Sequence, residues 1–177
     1  MKLSILDLGC GINKYKGAIG VDWVKRDGVD VVHNLNTLPY PFSDNTFDLI
    51  VMDNSLEHLD DVVGVMEEVH RISKIGSEVR IMVPYFRSRW AFIDPTHKHF
   101  FTVDSFAYFD PTSVIHERFG LSDVKFEVIS VAFNIGLGGS IVRRLVSKFA
   151  NSQVGIYERW ISIFYPLDEL TFVLKPI

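Results

Sequence analysis

The sequence predicts an α/β fold with a doubly wound, mostly parallel sheet, and three observations carry that prediction. Short apolar runs at 3–8, 18–22, 30–33, 47–53 and 78–84 recur through the first half of the chain. A helical period is interposed between the fourth and fifth of these runs, and strands alternating with helices build parallel sheets. The first run closes on Asp7-Leu8-Gly9-Cys10-Gly11 and the second on Asp22, which places a tight turn and a carboxylate at two strand tips. In open sheets of this kind, ligands sit outside the carboxyl ends of the strands.

The elements follow in order. Leu3 to Leu8 is too apolar for a surface segment and reads as a buried strand. Gly9 and Gly11 lack a Cβ, so the turn after it can adopt positive φ and press against a ligand. Ala18 to Asp22 is the second strand, with Asp22 at its tip facing ribose-like hydroxyls. Only Ile12 to Ala18 separate it from Gly11. A parallel crossover ordinarily needs about a dozen residues or more, so the first crossover helix is predicted to be cut to a turn. Asp30 to His33 and Phe47 to Asp53 are the third and fourth strands. A helix is predicted from Asp60 or Asp61 to Ser73, because Val62, Val65, Met66, Val69 and Ile72 share one face. The two acids suit its cap, and Gly76 reads as the stop beyond its end. Glu78 to Pro84 is the fifth strand.

From Tyr85 to Pro111 the pattern gives way to a loop rich in aromatics, charges and histidines. Thr112 to Phe119 reads as a short helix. Asp123 to Asn134 is a long strand whose alternation shifts phase near Val128. Gly136-Leu137-Gly138-Gly139 is a break, Ile141 to Phe149 and Ile156 to Phe164 are helical patterns, and Glu169 to Lys175 is the last strand. In that strand Leu170, Phe172 and Leu174 share one face.

With 177 residues, 47% of them apolar, the chain reads as a single domain over 1–177 with enough core to fold alone. A net charge of −4 argues against a general nucleic-acid binder. The single cysteine, Cys10, excludes an internal disulfide and suits a reducing cytoplasm. The chain enters a strand within a few residues of Met1, so no leader peptide is expected, and no apolar run approaches the roughly 18 residues of a membrane span. The fourteen phenylalanines concentrate in the second half, which fits a thick core, an apolar pocket or an interface.

Three motifs in sequence order point to a family. Asp7-Leu8-Gly9-Cys10-Gly11 with Asp22 comes first, then Asn34 to Asp48 around Leu38-Pro39, then Asp53-Asn54-Ser55-Leu56-Glu57-His58-Leu59. Together they resemble the class I S-adenosylmethionine-dependent methyltransferases of the type 11 kind, over residues 3–84. The resemblance implies a Rossmann-like, seven-stranded sheet completed by an antiparallel last strand. It implies a cofactor-binding half at 1–84 and a substrate side at 85–177. S-adenosylmethionine is the implied cofactor, with Asp7, Gly9, Gly11, Asp22, Asn34, Leu35 and Asn54 as its binding residues. Asn34 stands where the family commonly has an acid against the adenine amino group, and Leu35 N–H would meet the ring. The third glycine position carries Asn13. His58 either holds the loop or touches ligand, Glu57 reads as structural, and Cys10 as a small turn residue.

Asp94-Pro95-Thr96-His97-Lys98-His99 follows the fifth strand and resembles a segment of a short subgroup of such methyltransferases. Three readings of it stay open. His97 is a general base toward an acceptor, or Asp94, His97 and His99 ligate a metal, or the loop is structural. The metal reading lacks a distant partner in sequence, and no metal ion is assigned. Tyr85, Arg87, Trp90 and Asp94 are the candidate acceptor residues, beside Phe86 and Arg89. The expected function is methyl transfer to a small-molecule or lipid-like acceptor; the rival is a non-catalytic Rossmann-like module with a degenerate cofactor site. The apolar 156–165 segment, after the cationic Arg143, Arg144 and Lys148, reads as sheet cover, a lid, a lipid contact or the interface of a homodimer.

Overall fold

The computed structural model describes residues 3–136 and 140–177; Leu137 to Gly139, in the predicted glycine break, and the first two residues lie outside the described residues. One seven-stranded sheet forms in the order β3-β2-β1-β4-β5-β7-β6. Its strands are β1 (Ile5–Leu8), β2 (Ile19–Asp22), β3 (Val31–Val32), β4 (Phe47–Asp53), β5 (Ser73–Pro84), β6 (Phe126–Asn134) and β7 (Glu169–Pro176). β1 to β5 are parallel, and β7 runs antiparallel between β5 and β6. The predicted architecture, including the antiparallel last strand, is therefore the observed one. No helix forms between β1 and β2: the chain from Ile12 to Ala18 returns through turns. The phase shift near Val128 is a register shift between Val128 and Ser130 against β7.

The core follows the alternation. Leu170, Phe172 and Leu174 are all fully buried on one face of β7, and Phe172 packs against Phe106 with ring centroids 4.6 Å apart. Phe101, Phe109, Phe126 and Phe133 join the same cluster, so much of the aromatic excess of the second half is core. The helix α1 (Val62–Ile72) buries Val65, Met66, Val69 and Ile72 on the face predicted for it, and Asp61 caps it by accepting from Gly64 N–H at 2.9 Å.

Two boundaries differ from expectation. Gly76 is not the stop of α1. The helix ends at Ser73, whose hydroxyl donates to Val69 O at 2.7 Å, and the chain passes directly into β5. Gly76 lies inside that strand at φ +77°, where Ser73 pairs with Phe47 and Glu78 with Leu49. Five residues advance on β5 while two advance on β4, and the surplus is taken up by a backbone conformation suited to glycine.

The run at 156–164 is also not a regular helix. The helix α2 (Ile141–Ser152) is followed by a three-residue turn, α3 (Val154–Ile156), and a wider turn at Tyr157–Ile161. Tyr157 is fully buried, and its hydroxyl donates to Tyr165 O and accepts from Leu167 N–H, both at 2.8 Å. Burying one aromatic with both polar partners satisfied overrides local helical periodicity. Trp160, Ile163 and Phe164 are left exposed. Tyr157→Phe orphans the buried Leu167 N–H and is expected to cost about 1–3 kcal/mol in a urea titration. None of the helices among the described residues is long and apolar enough to cross a membrane.

Candidate active site

The site is built from the carboxyl ends of the parallel strands. Gly9, at φ +82°, donates to Val21 O at 2.9 Å, and Cys10 N–H donates to the same carbonyl at 3.0 Å. A Cβ on Gly9 would stand 2.4 Å from Ser55 Cβ, so the segment just after β4 and the turn after β1 meet side chain to backbone. Gly11, at φ +53°, donates to Asp22 Oδ2 at 3.0 Å, while Val24 N–H meets Asp22 Oδ1 at 3.1 Å. Asp22 thus takes over part of the bracing that a crossover helix would supply, and each of its oxygens keeps acceptor capacity. Asp7 is buried and accepts from Tyr15 N–H at 2.7 Å. Burial raises its carboxyl above the ordinary value, against that hydrogen bond. The Cys10 thiol is pushed up to about 11 by burial and by Asp7, so it remains protonated at neutral pH.

The second edge is the 34–42 segment. Asn34 Oδ1 accepts from Asn36 N–H at 3.0 Å, and Asn36 Oδ1 accepts from Asp60 N–H at 2.8 Å. The buried Tyr40 donates to Leu35 O at 3.1 Å and, through its N–H, to Glu68 Oε1 at 2.5 Å. Glu68 in turn holds Arg71 bidentately, at 2.8 and 2.5 Å.

The third edge joins the end of β4 to the histidine loop. Asn54 adopts φ +49°, and a single helical turn follows at Leu56–His58. Lys98 N–H and His99 N–H both donate to Glu57 O, at 2.8 and 3.3 Å. His99 Nε2 meets Leu59 O at 2.9 Å, and Lys98 pairs with Asp60 at 2.6 Å. The loop therefore lies flat on the turn after β4.

These three edges enclose a cavity of about 670 Å³, in the range of ligand sites. Of the sequence candidates, Gly9, Asp22, Asn34, Leu35 and Asn54 line it. Asp7 and Gly11 are not among the lining residues; they brace the turn through Tyr15 N–H and Asp22. Sequence reasoning missed Trp23, Asn36, Ser55, Leu59 and Lys98 as wall residues, and left His58 undecided. Pro95 and Thr96 also line it, so the loop taken for the acceptor side closes the same cavity as the glycine turn.

The predicted acceptor residues lie elsewhere. Tyr85 is fully buried, with its hydroxyl 2.9 Å from Ser162 Oγ, because it belongs to the aromatic core. Arg87 donates to Ser162 Oγ at 2.6 Å and to Glu158 O, on the wall of a second cavity of about 470 Å³. Trp90 is on the surface beside Arg89, with the guanidinium 5.5 Å from its ring centroid. Asp94 accepts from the N–H and hydroxyl of Thr96, at 2.8 and 2.7 Å, and these bonds hold its carboxyl below the ordinary value. His97 does not line the large cavity; its side chain is 8% exposed, and its Nε2 lies 3.9 Å from Glu57. Burial pushes the Glu57 carboxyl up to about 7.

Carboxylates gather at the carboxyl ends of the strands, and Asp22 is the one among them that lines the cavity. Asp22 and Asp53 end β2 and β4, Asp7 lies one residue before the end of β1, and Glu169 reaches Asn54 at 3.4 Å. Partial desolvation raises the Asp53 and Glu169 carboxyls as well, at Asp53 against the charge of Arg80. Lys98 is the only lysine or arginine among the lining residues and is already paired. Phosphates are bound by free N–H groups at a helix start, whereas here the glycine-turn amides are consumed and the helix is missing.

Residues 15–81 match the model of a family described as a methyltransferase domain. A demethylmenaquinone methyltransferase of Anoxybacillus flavithermus is 36% identical over 64 residues, which cover 34% of this chain and 27% of that protein. One from Shouchella clausii is 28% identical over 74 residues, covering 38% and 31%. The match thus spans less than a third of the length of these curated relatives. Among solved structures, an S-adenosylmethionine-dependent methyltransferase from Archaeoglobus fulgidus shares the fold with a TM-score of 0.61 at 21% identity, over 98% of this chain and 86% of that one. One from Mesorhizobium loti has a TM-score of 0.59 at 15% identity, over 98% and 90%.

Proposed function

We propose that the chain is an S-adenosylmethionine-dependent methyltransferase that binds its cofactor in the 670 Å³ cavity and methylates a small acceptor. The observation that carries this reading is the convergence of Gly9, Asp22, Asn34 and Leu35 on one cavity at the carboxyl ends of the central parallel strands. The family match over 15–81 and the methyltransferase folds support it. The residues present fit the group. Asp22 keeps acceptor capacity for ribose hydroxyls, Leu35 and Leu59 offer apolar wall, and the strand-end carboxylates suit a sulfonium. The cofactor, when bound, supplies an electrophilic methyl group.

The protein's part is to hold the acceptor in line and keep water away, which is worth several orders of magnitude in rate. His97 is not the base in this reading, because its Nδ1 meets Ala91 O at 3.0 Å and its Nε2 faces Glu57. The Asp94-Pro95-Thr96-His97 segment, which resembles that of a short methyltransferase subgroup, instead closes the wall opposite the glycine turn. The names of both curated relatives support a small molecule rather than a macromolecule as the acceptor.

Calorimetry with S-adenosylmethionine tests the cofactor half of the proposal. Asp22→Asn removes the charge while keeping an acceptor, and is expected to weaken binding about tenfold or more. Absence of binding by the unmodified chain at millimolar cofactor would sink the reading. The trimmed crossover and the occupied glycine-turn amides favour one rival, a non-catalytic binding module. Homocysteine release across a panel of small acceptors separates the two.

A further inference from the structure

We propose that Glu57, His58 and His97 form a binding site for a divalent transition-metal ion of the zinc type, set in the wall of the large cavity. One ligand atom from each of the three residues lies within 4.8 Å of the other two. Ligands placed tetrahedrally about 2.0–2.2 Å from one zinc ion stand about 3.4 Å from each other, so the triad closes the site by drawing in by at most about 1.4 Å.

The oxygens supply the first argument. Glu57 is 1% exposed, and among the described residues neither of its carboxylate oxygens has a hydrogen-bond partner. A buried carboxyl group without partners is costly, and its neighbour His97 Nε2, at 3.9 Å, is too far for a hydrogen bond. A cation between them would satisfy both.

The tautomers supply the second. His97 Nδ1 lies 3.0 Å from Ala91 O, and a carbonyl only accepts, so Nδ1 carries hydrogen and the neutral ring keeps its lone pair on Nε2, toward Glu57. Thr96 Oγ1 donates its hydrogen to Asp94 Oδ1 at 2.7 Å, so it accepts from His58 Nδ1 at 2.9 Å. His58 is left with a free lone pair on its other nitrogen. Metal-ligating histidines are oriented in this way, with the second ring nitrogen donating to a carbonyl, carboxylate or hydroxyl.

The two segments are also locked together, since Lys98 and His99 N–H groups both donate to Glu57 O. A 2-His-1-carboxylate donor set suits zinc or iron rather than calcium or magnesium, which take oxygen ligands. Three protein ligands leave a coordination position open. Of the three ligands His58 lines the large cavity, so the site adjoins it. The metal reading left open for the loop, Asp94 with His97 and His99, does not assemble: Asp94 is held by Thr96, and His99 Nε2 by Leu59 O.

The site is tested on the cofactor-free chain, so its failure leaves the methyl-transfer reading standing, and the reverse holds too. After stripping with a chelator, titration with Zn²⁺ against a chromophoric competitor is expected to show one ion per chain with a Kd below about 1 µM. Co²⁺ in the same site is expected to give the visible absorption of a tetrahedral complex. Glu57→Gln and His97→Gln should each weaken Zn²⁺ binding about a hundredfold or more, and Thr96→Val, which only orients His58, about tenfold. His99→Gln, in the same loop but outside the triad, should bind as the parent does. Circular dichroism on each sample establishes folding, and His58→Gln, at a half-exposed position, replaces any variant that fails it. No binding by the parent chain, or binding that survives both triad substitutions, would overturn the proposal.

Discussion

Replacing Gly9 with alanine is expected to destabilise the chain by about 2–5 kcal/mol and to abolish cofactor binding. Two independent costs add. At φ +82° any L-residue with a Cβ is strained, by roughly 1–2 kcal/mol. The new methyl would also stand 2.4 Å from Ser55 Cβ and 3.0 Å from Ser55 Oγ. Ser55 cannot swing aside freely, because it is buried and its hydroxyl donates to Leu8 O at 2.9 Å. Overpacking of this kind costs about 1–3 kcal/mol. The double variant Gly9→Ala/Ser55→Gly removes the collision and leaves the backbone strain, so it should recover the steric part alone. Urea titrations of Gly9→Ala, Ser55→Gly, the double variant and the parent close the cycle. An unchanged midpoint for Gly9→Ala would mean that the turn does not pack on the segment just after β4 as described.

Arg71→Ala is expected to cost roughly 3 kcal/mol, the low end for breaking a buried pair, because Arg71 is itself partly exposed. The loss exceeds that of a surface ion pair because Glu68 is buried. Its carboxylate would keep only the Tyr40 N–H as partner. Burial alone pushes Glu68 up; the bonds from Arg71 and Tyr40 N–H outweigh it and hold the group below its ordinary value of 4.5. A lowered folded-state pKa contributes stability that is present above the ordinary value and lost as pH falls through the folded one. In the variant the lone buried carboxyl gains from protonation. The gap between parent and variant should therefore be widest at neutral pH and narrow on acidification below about 4.5. Thermal unfolding across that range reads it, and a pH-independent gap would assign the effect to lost packing. Cofactor affinity should fall as well, since Arg71 donates to Tyr40 O at 3.2 Å and Tyr40 holds Leu35 O.

Much of the frame was legible because it depends on local periodicity. The apolar runs located the strands, the spacing of Val62, Val65, Met66, Val69 and Ile72 located α1, and the seven residues from Ile12 to Ala18 were too few for a crossover helix. What misled was local punctuation answering a non-local demand. Gly76 looks like a helix stop, yet it serves the register of β5 against β4. The 156–164 run looks helical, yet the burial of Tyr157 decides its backbone. Tyr85 and Arg87 follow a strand at the substrate end, but the aromatic core and Ser162 claim them.

By itself the sequence determined the α/β sheet, the trimmed first crossover and the glycine turn with Asp22, because each is written in residues a few positions apart. Only the tertiary structure decided which side chains share a cavity. It left Asp7 and Gly11 off the lining and brought Pro95 and Thr96 onto the wall. It also gave His97 the distant partners missing from its own loop, Glu57 and His58, some forty residues earlier in the chain. Periodicity reports which face of an element is buried; it does not report which elements meet. That is set by the packing of the 94–99 loop on the turn after β4, through hydrogen bonds to Glu57 O and Leu59 O that no spacing rule encodes.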